Sequence, residues 1–225
     1  MHILVRGSLD KVKALISKLG PSHDYVVFNE RDGRLFEEAD IIFDLSFDDD
    51  PLDICLYEEV KVPLVLSAVK ASLVEILDIS RGKDPIFGLN TFGGFIDSQV
   101  WEMTTLEPHN KKVLVDLFPE LDIEWVHSRV GMLTPRVISM IINEACYTLQ
   151  EGTANIEDID KGMKLGTNYP KGPFEWADEI GVGHIYDTLE ALYQDTGDVR
   201  FKICPLLKEY ALLNQSFYST HASDL

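Results

Sequence analysis

The amino-acid sequence predicts an α/β fold, with a mainly parallel sheet in residues 1–128 and an all-α part in residues 129–225. In the first part, short apolar runs typical of strands alternate with segments of helical periodicity, which is the pattern of βαβ units. In the second part, the apolar residues recur at helical spacing. Of the 225 residues, 45% are hydrophobic and 26% are charged, so the chain has the composition of a globular protein.

The first part begins with a strand and a helix, which Ser8 is placed to cap and which Gly20-Pro21 ends. Between the third and fourth strands lies Asp48-Asp49-Asp50. We expect these acids to form a solvated loop and not a metal site, because consecutive acids point in different directions. The predicted strands are residues 2–5, 25–28, 41–45, 62–67, 87–89, 99–104 and 123–126. The predicted helices are residues 8–18, 52–60, 73–79 and 110–118.

The second part begins with a helix that Thr134 is predicted to cap, with Pro135 at its first position. This helix carries apolar residues on more than one face, so it should be buried on several sides. A single small bundle does not cover that much apolar surface, and we therefore expect a homodimer through residues 129–225. The later helices are predicted to begin at Asn155, at Pro173, near Ile185 and at Pro205, with stops at Gly166, Gly181 and Gly197.

The charge of the chain excludes some classes of partner. The formal net charge is −18, and nucleic acid and anionic membranes both attract basic surfaces. Three cysteines, far apart, indicate neither a disulfide framework nor a zinc site. The opening MHILVRGSLD has too short an apolar run for a signal peptide, and no run reaches the ~18 apolar residues of a membrane span. We therefore expect a cytoplasmic protein.

A series of motifs in the second part, in order and with nearly the same spacing, closely resembles the C-terminal domain of 3-hydroxyacyl-CoA dehydrogenases. They are INEA (142–145), QEG (150–152), IEDID (156–160), MKLG (163–166), YPKGPFEWAD (169–178), LEALY (189–193), TGD (196–198) and PLL (205–207). The resemblance implies a reduced Rossmann-like, NAD-binding first domain, followed by an all-α dimerisation domain that builds half of an acyl-CoA cleft. It also implies a role in fatty-acid metabolism.

The phosphate-binding turn of that family is degenerate in this chain. The family turn reads G-x-G-x-x-G, in which the second glycine lets the backbone approach pyrophosphate. Here residues 7–12 read GSLDKV, so that only Gly7 remains. Leu9 brings a side chain to the approach point, and Asp10 brings a negative charge that Lys11 offsets only weakly. Glu30 stands where the resemblance implies the acid that binds the adenosine ribose. We expect NAD, the cofactor of the family, to bind weakly or not at all.

The catalytic positions implied by the resemblance are mostly substituted. Asn90 stands at the catalytic histidine, and Glu102 stands twelve residues later at the glutamate that orients it. An amide cannot accept and return a proton near neutral pH as an imidazole can. The asparagine that opens the C-terminal domain of the family falls on Pro135.

The catalytic serine of the family falls on Ala71. A two-residue gap makes this register ambiguous, so Ser72 or Ser67 could stand in for it.

Three hypotheses follow from these substitutions. In the first, the chain is a homologue that has lost oxidoreductase chemistry and acts as a dimeric acyl-CoA-binding or regulatory protein. In the second, it is an active NAD-dependent 3-hydroxyacyl-CoA dehydrogenase that uses substitute residues, with His127 as the candidate base. In the third, it is a different enzyme on the same scaffold, with Glu102 as the base.

Overall fold

A computed structural model describes residues 1–29, 33–57, 60–77 and 85–218 and divides the chain into two compact units. The first unit comprises Met1–Thr91 and Phe95–Met132, and the second comprises Phe92–Gly94 and Leu133–Leu225. The first unit thus extends four residues past the boundary predicted from the sequence. The extension has a physical cause, because the Gly131 N–H donates a 2.6 Å hydrogen bond to the Val69 carbonyl within the first unit.

In the described residues, the first unit is built on a seven-stranded sheet in the order β2-β1-β3-β4-β5-β6-β7. The predicted mainly parallel sheet is confirmed, because only the β5–β6 pair is antiparallel. The strands are β1 (His2–Arg6), β2 (Asp24–Val27), β3 (Ile41–Asp44), β4 (Leu64–Ser67), β5 (Ile86–Leu89), β6 (Val100–Thr104) and β7 (Asp122–Trp125).

Helices pack on both faces of this sheet, because successive side chains along each strand point to opposite faces. Ile3 and Val5 belong to the core that α1 and α4 cover. Leu4 belongs to a second core, to which α2 and α3 contribute. The helices are α1 (Leu9–Leu19), α2 (Gly33–Glu37), α3 (Leu73–Ile76) and α4 (Lys111–Leu117).

Two predicted helices of the first unit differ from the structure. Residues 52–60 were expected to be α-helical, but the structure has a 3₁₀ helix over Pro51–Tyr57. Two side chains of this 3₁₀ helix bind residues at the ends of strands. Asp53 pairs with Arg6, and the Tyr57 hydroxyl donates to Asp44. The predicted helix 73–79 is α-helical over Leu73–Ile76, and its last two residues lie outside the described part of the chain.

The second unit is helical in its described residues, as predicted. Asn155, Gly181 and Gly197 cap helices where the sequence indicates them. Two predicted ends are wrong. Thr134 is the first helical residue, and Leu133 occupies the cap position. The second helix passes Gly166 and ends at Asn168, which adopts a left-handed conformation (φ 59°). The helices are α5 (Thr134–Gln150), α6 (Ile156–Thr167), α7 (Pro173–Ile180), α8 (Val182–Thr196) and α9 (Pro205–Leu212).

The YPKGPFEWAD motif forms a buried junction between α6 and α7. Asp160 is 1% exposed, and its carboxylate accepts hydrogen bonds from the backbone N–H groups of Phe174 (2.9 Å) and Glu175 (3.0 Å) at the start of α7. The Glu175 carboxylate in turn accepts one from the Gly172 N–H at 2.8 Å. A Cβ on Gly172 would lie 2.1 Å from the carboxyl carbon of Asp160, so a close approach requires this glycine. The motif is therefore explained by packing.

We predict that Gly172→Ala lowers the stability of the chain by about 2–3 kcal/mol, because the added methyl group displaces the Asp160 carboxylate from the start of α7. Thermal unfolding measures the effect. Gly166→Ala is the matched control, since a Cβ there meets no atom within 4 Å and alanine favours a helix. Equal losses for the two variants would contradict the packing explanation.

Candidate functional site

The sheet of the first unit changes direction at β1, with β2 on one side and β3 on the other. In open α/β sheets, ligands bind in the crevice outside the carboxyl ends of the strands at such a switch point. Four polar residues lie at this edge. Arg6 and Asp44 end β1 and β3, Ser67 ends β4, and Thr91 follows β5 by two residues. The candidate site is therefore the crevice that these residues line.

Residues of the turn between β1 and α1 contact other residues of the first unit. A Cβ on Gly7 would lie 3.1 Å from the Cβ of Leu45, so close packing against the end of β3 already accounts for this glycine. The Ser8 hydroxyl accepts a hydrogen bond from the Lys11 N–H (3.4 Å) and caps α1. Asp10 lies in the first helical turn, and the Leu9 side chain is 67% exposed. The helix N-terminus is thus capped by a side chain of the chain itself and carries an acid.

The Lys11 side chain is partly buried at the edge of the crevice. Its Nζ donates to the Leu45 carbonyl at 2.7 Å and to the Thr91 hydroxyl at 3.4 Å. Burial lowers the pKa of Lys11, and Asp49 and Asp48 nearby partly oppose that shift. The ammonium group is therefore engaged across the ends of β3 and β5.

A buried charged cluster joins the ends of β1 and β3. The Arg6 guanidinium pairs with Asp44 (3.0 Å) and with Asp53. The Tyr57 hydroxyl donates to Asp44 at 2.7 Å. Burial and the Asp44 carboxylate raise the pKa of Tyr57 far above its usual range. Burial alone would lower the pKa of Arg6, but its two carboxylate partners outweigh it and raise that pKa. Tyr57 and Arg6 therefore hold their protons, and both donate to Asp44.

The Asp48 carboxylate occupies a cradle of hydrogen-bond donors at the end of β4. It accepts from the backbone N–H groups of Val69 and Lys70, each at 2.8 Å, and from the Ser67 hydroxyl. Ser67 and Thr91 share a further hydrogen bond of 2.6 Å. The prediction that Asp48 lies in a solvated loop is wrong, because these donors draw it onto the sheet. In the described residues, no three His, Cys, Asp or Glu side chains are grouped to hold a metal.

These contacts bear on whether NAD fits the crevice. A dinucleotide phosphate needs backbone N–H groups that are open to it, with no competing negative charge. Here Ser8 caps the helix, Asp48 takes the N–H groups that follow β4, and Asp44 accepts the hydrogen bonds of Arg6 and Tyr57. The donors named here are therefore already engaged within the chain. Glu30, the predicted ribose acid, lies outside the described residues.

Asn90, one residue past the end of β5, lies directly opposite Glu102 on β6; the resemblance implies the histidine and the glutamate at these two positions. The strand register pairs Gly88 with Thr104 and Leu89 with Met103, and the Asn90 N–H donates to the Glu102 carbonyl at 3.1 Å. The Asn90 and Glu102 side chains are buried, at 2% and 9% exposure. Side chains of opposed residues in an antiparallel pair point to the same face. The structure thus brings this predicted pair together.

The other predicted positions are used structurally. Ser72 caps α3, and its hydroxyl and the Glu75 carboxylate form a capping box. Ser67, the alternative, binds Asp48. Pro135 is buried in the first turn of α5, in the second unit. His127 lies beyond the end of β7, where it lines a cavity of the first unit away from the crevice-lining residues.

Sequence reasoning missed Arg6, Asp44, Asp53, Tyr57 and Thr91. It named Lys11, Asp48 and Ser67, but it did not predict the hydrogen bonds that join them to this edge of the sheet. A signal was available, because polar residues stand at or just beyond the ends of several predicted strands. In a parallel sheet those ends meet at one edge.

The fold defines a class of protein, a mainly parallel α/β unit in one chain with a helical unit. Residues 131–221 match the family model of the 3-hydroxyacyl-CoA dehydrogenase C-terminal domain. The resemblance predicted from the sequence is confirmed, and the second unit carries a C-terminal domain of this kind.

Known proteins show how far the likeness extends. The chain is 45% identical over 89 residues to 3-hydroxyadipyl-CoA dehydrogenase of Escherichia coli K12, a match that covers 40% of this chain and 19% of that protein. It is 27% identical over 158 residues to 3-hydroxybutyryl-CoA dehydrogenase of Clostridioides difficile, covering 68% and 56%. The matched segments thus span well under two thirds of these relatives.

A crystal structure of (S)-3-hydroxybutyryl-CoA dehydrogenase from Ralstonia eutropha has the same fold, with a TM-score of 0.76 over 97% of this chain and 96% of that one, at 18% identity. The α/β fold class predicted from the sequence is confirmed. In the described residues, no helix is long and apolar enough to cross a membrane.

We predict that Asp48→Ala destabilises the chain by about 1–3 kcal/mol, because two backbone N–H groups and a buried hydroxyl lose their acceptor. Asp49→Ala removes the same charge one residue later. There only a 3.3 Å ion pair with Lys70 is lost, and the side chain of Asp49 is half exposed, so the cost should stay below ~0.5 kcal/mol. Chemical denaturation compares the two. If both variants lose the same stability, Asp48 has no special role.

Proposed function

We propose that this chain is a 3-hydroxyacyl-CoA dehydrogenase-family protein of acyl-CoA metabolism that has lost NAD-dependent oxidoreductase chemistry. It acts as a dimeric acyl-CoA-binding or regulatory homologue in the cytoplasm, with no nucleic acid or membrane partner. The observation that carries this proposal is the polar network at the carboxyl ends of the strands, which we call the filled crevice. The donors and acceptors at the carboxyl ends of β1, β3, β4 and β5 are hydrogen-bonded to one another, with Asp44 and Asp48 as the acceptors.

The substituted catalytic positions support the same conclusion. Asn90 cannot take the hydroxyl proton of a 3-hydroxyacyl thioester, and loss of a general base alone costs about 10²–10⁴-fold in rate. Ser67 and Ser72 are both held by neighbouring carboxylates. Pro135 has neither an amide side chain nor an N–H.

The alternative is an active NAD-dependent 3-hydroxyacyl-CoA dehydrogenase with substitute residues. One observation favours it: a glutamate, Glu102, stands where the resemblance implies the orienting glutamate, and it is buried opposite position 90. In that case another group carries the proton. His127 is the candidate from the sequence, but it lines a cavity with Trp125 and Lys111 and not the crevice.

Activity measurements separate the two proposals. With NADH, the wild-type chain should reduce acetoacetyl-CoA far more slowly than an ordinary enzyme rate of ~1 s⁻¹. Asn90→His places an imidazole opposite Glu102, yet it should restore little activity, because catalytic groups act as a unit and the crevice stays filled. Asn90→Gln is the control that keeps an amide. A wild-type rate of ~1 s⁻¹ or more would establish the alternative, and His127→Ala would then test the substitute base.

We also propose that the second unit dimerises. The exposed face of α5 carries Val137, which is 50% exposed, and the same unit exposes Leu165 at 77%. Dimerisation through this unit would cover these two side chains. Light scattering should give twice the mass of the chain at micromolar concentration, and a monomer would contradict the proposal.

A further inference from the structure

A second cavity of the first unit lies at the other edge of the sheet. Because β6 runs antiparallel to β5, and β7 is parallel to β6, the carboxyl ends of β6 and β7 lie beside the start of β5. The Thr105 hydroxyl accordingly donates to the Ile86 carbonyl at 3.0 Å. A cavity of about 560 Å³ opens there, within the range of small-molecule sites. We call it the basic pocket; it is lined by Thr105, Leu106, Pro108, Lys111, Trp125, Val126, His127, Ser128 and Arg129.

The charge of this pocket is opposite to that of the whole molecule. The chain carries 38 acidic against 20 basic side chains, yet the pocket lining contains Lys111, Arg129 and His127 and no acid. Glu107 adjoins two lining residues in sequence, but its carboxylate faces the His109 ring at 3.7 Å. An anion entering the pocket therefore meets the Lys111 ammonium with no carboxylate in the lining.

Leu106, Pro108, Val126 and Trp125 form apolar walls of the pocket, and the Trp125 ring is the flat one. This ring packs against Phe87 at 6.1 Å between centroids, which fixes one side of the indole. The Lys111 Nζ lies 5.2 Å from the centroid of the Trp125 ring. A lysine stem is flexible, so the ammonium can turn from the ring to an anion while a ligand ring takes its place on the indole. A bare anion would leave the indole, Leu106 and Val126 in contact with water. The pocket thus suits an anion attached to an aromatic ring.

We propose that the basic pocket binds an adenosine phosphomonoester, with the base against Trp125 and the phosphate beside Lys111. A terminal phosphate carries between one and two negative charges at neutral pH, and a phosphodiester carries one. Free adenine nucleotides and the 3′-phosphoadenosine end of CoA share this chemistry. NAD does not, because its phosphates are internal. The proposal does not depend on the filled crevice or on the proposed function.

Calorimetric titration of the full chain with AMP tests this assignment, with CoA, NAD, adenosine and inorganic phosphate titrated in parallel. AMP should bind saturably at one site per chain. Adenosine, phosphate and NAD should each bind at least about tenfold more weakly, because each lacks the ring or the terminal phosphate. CoA that competes with AMP identifies the source as the CoA end, and CoA that does not compete identifies a free nucleotide.

Lys111→Gln should weaken AMP binding about tenfold. Lys112→Gln removes the same charge from the next, exposed residue, which does not line the pocket, and should change affinity less than about twofold. His127→Gln is an independent variant on the exposed rim, and we expect it to weaken binding severalfold. Absence of saturable AMP binding, equal effects of the two lysine variants, or NAD binding as tightly as AMP would each overturn the proposal.

Discussion

The hydrogen bonds of the Asp48 carboxylate are the interaction on which the crevice depends. Two backbone N–H groups and a hydroxyl at the end of β4 need an acceptor, because a buried donor that makes no hydrogen bond costs free energy of folding. A bound anion could supply that acceptor, but here the chain supplies its own. The Ser67 hydroxyl is also hydrogen-bonded to the Thr91 hydroxyl, which accepts from Lys11, and Lys11 donates to the Leu45 carbonyl. The ends of β3, β4 and β5 therefore form one polar network. Asp44, Arg6, Asp53 and Tyr57 form a second network at the end of β3.

The proposed function depends on these contacts, all of which lie in the first unit. The second unit has capped helices and the Asp160 junction, and residues 131–221 match the model of the 3-hydroxyacyl-CoA dehydrogenase C-terminal domain. The described sheet of the first unit has a switch point at β1, and charged side chains of the chain itself lie there. A scaffold can keep a fold while its site changes, so fold likeness does not carry activity with it. The proposed loss of oxidoreductase chemistry follows from these contacts and from Asn90.

The sequence predicted what local patterns determine. Alternating strands and helices predicted the parallel sheet, and single residues such as Asn155 and Gly197 marked helix ends. The family resemblance implied that Asn90 and Glu102 belong together, and the register of β5 and β6 places them opposite each other. The crevice contacts were missed because they join residues separated by 19, 47 and 80 positions, which no local pattern encodes. The 3₁₀ helix Pro51–Tyr57 was missed for the same reason, since its side chains bind distant strand ends.

A site-resolved titration with NADH tests the filled crevice most directly. In ¹⁵N-labelled protein, the backbone amide signals of Lys11, Val69, Lys70 and Thr91 report on the groups that a dinucleotide would have to displace. Our account predicts that these signals stay in place at millimolar NADH, and that the Val69 and Lys70 signals shift in Asp48→Ala. Saturable shifts at these four amides in the wild-type chain, with a micromolar dissociation constant, would show that the cofactor enters the crevice and would contradict the account.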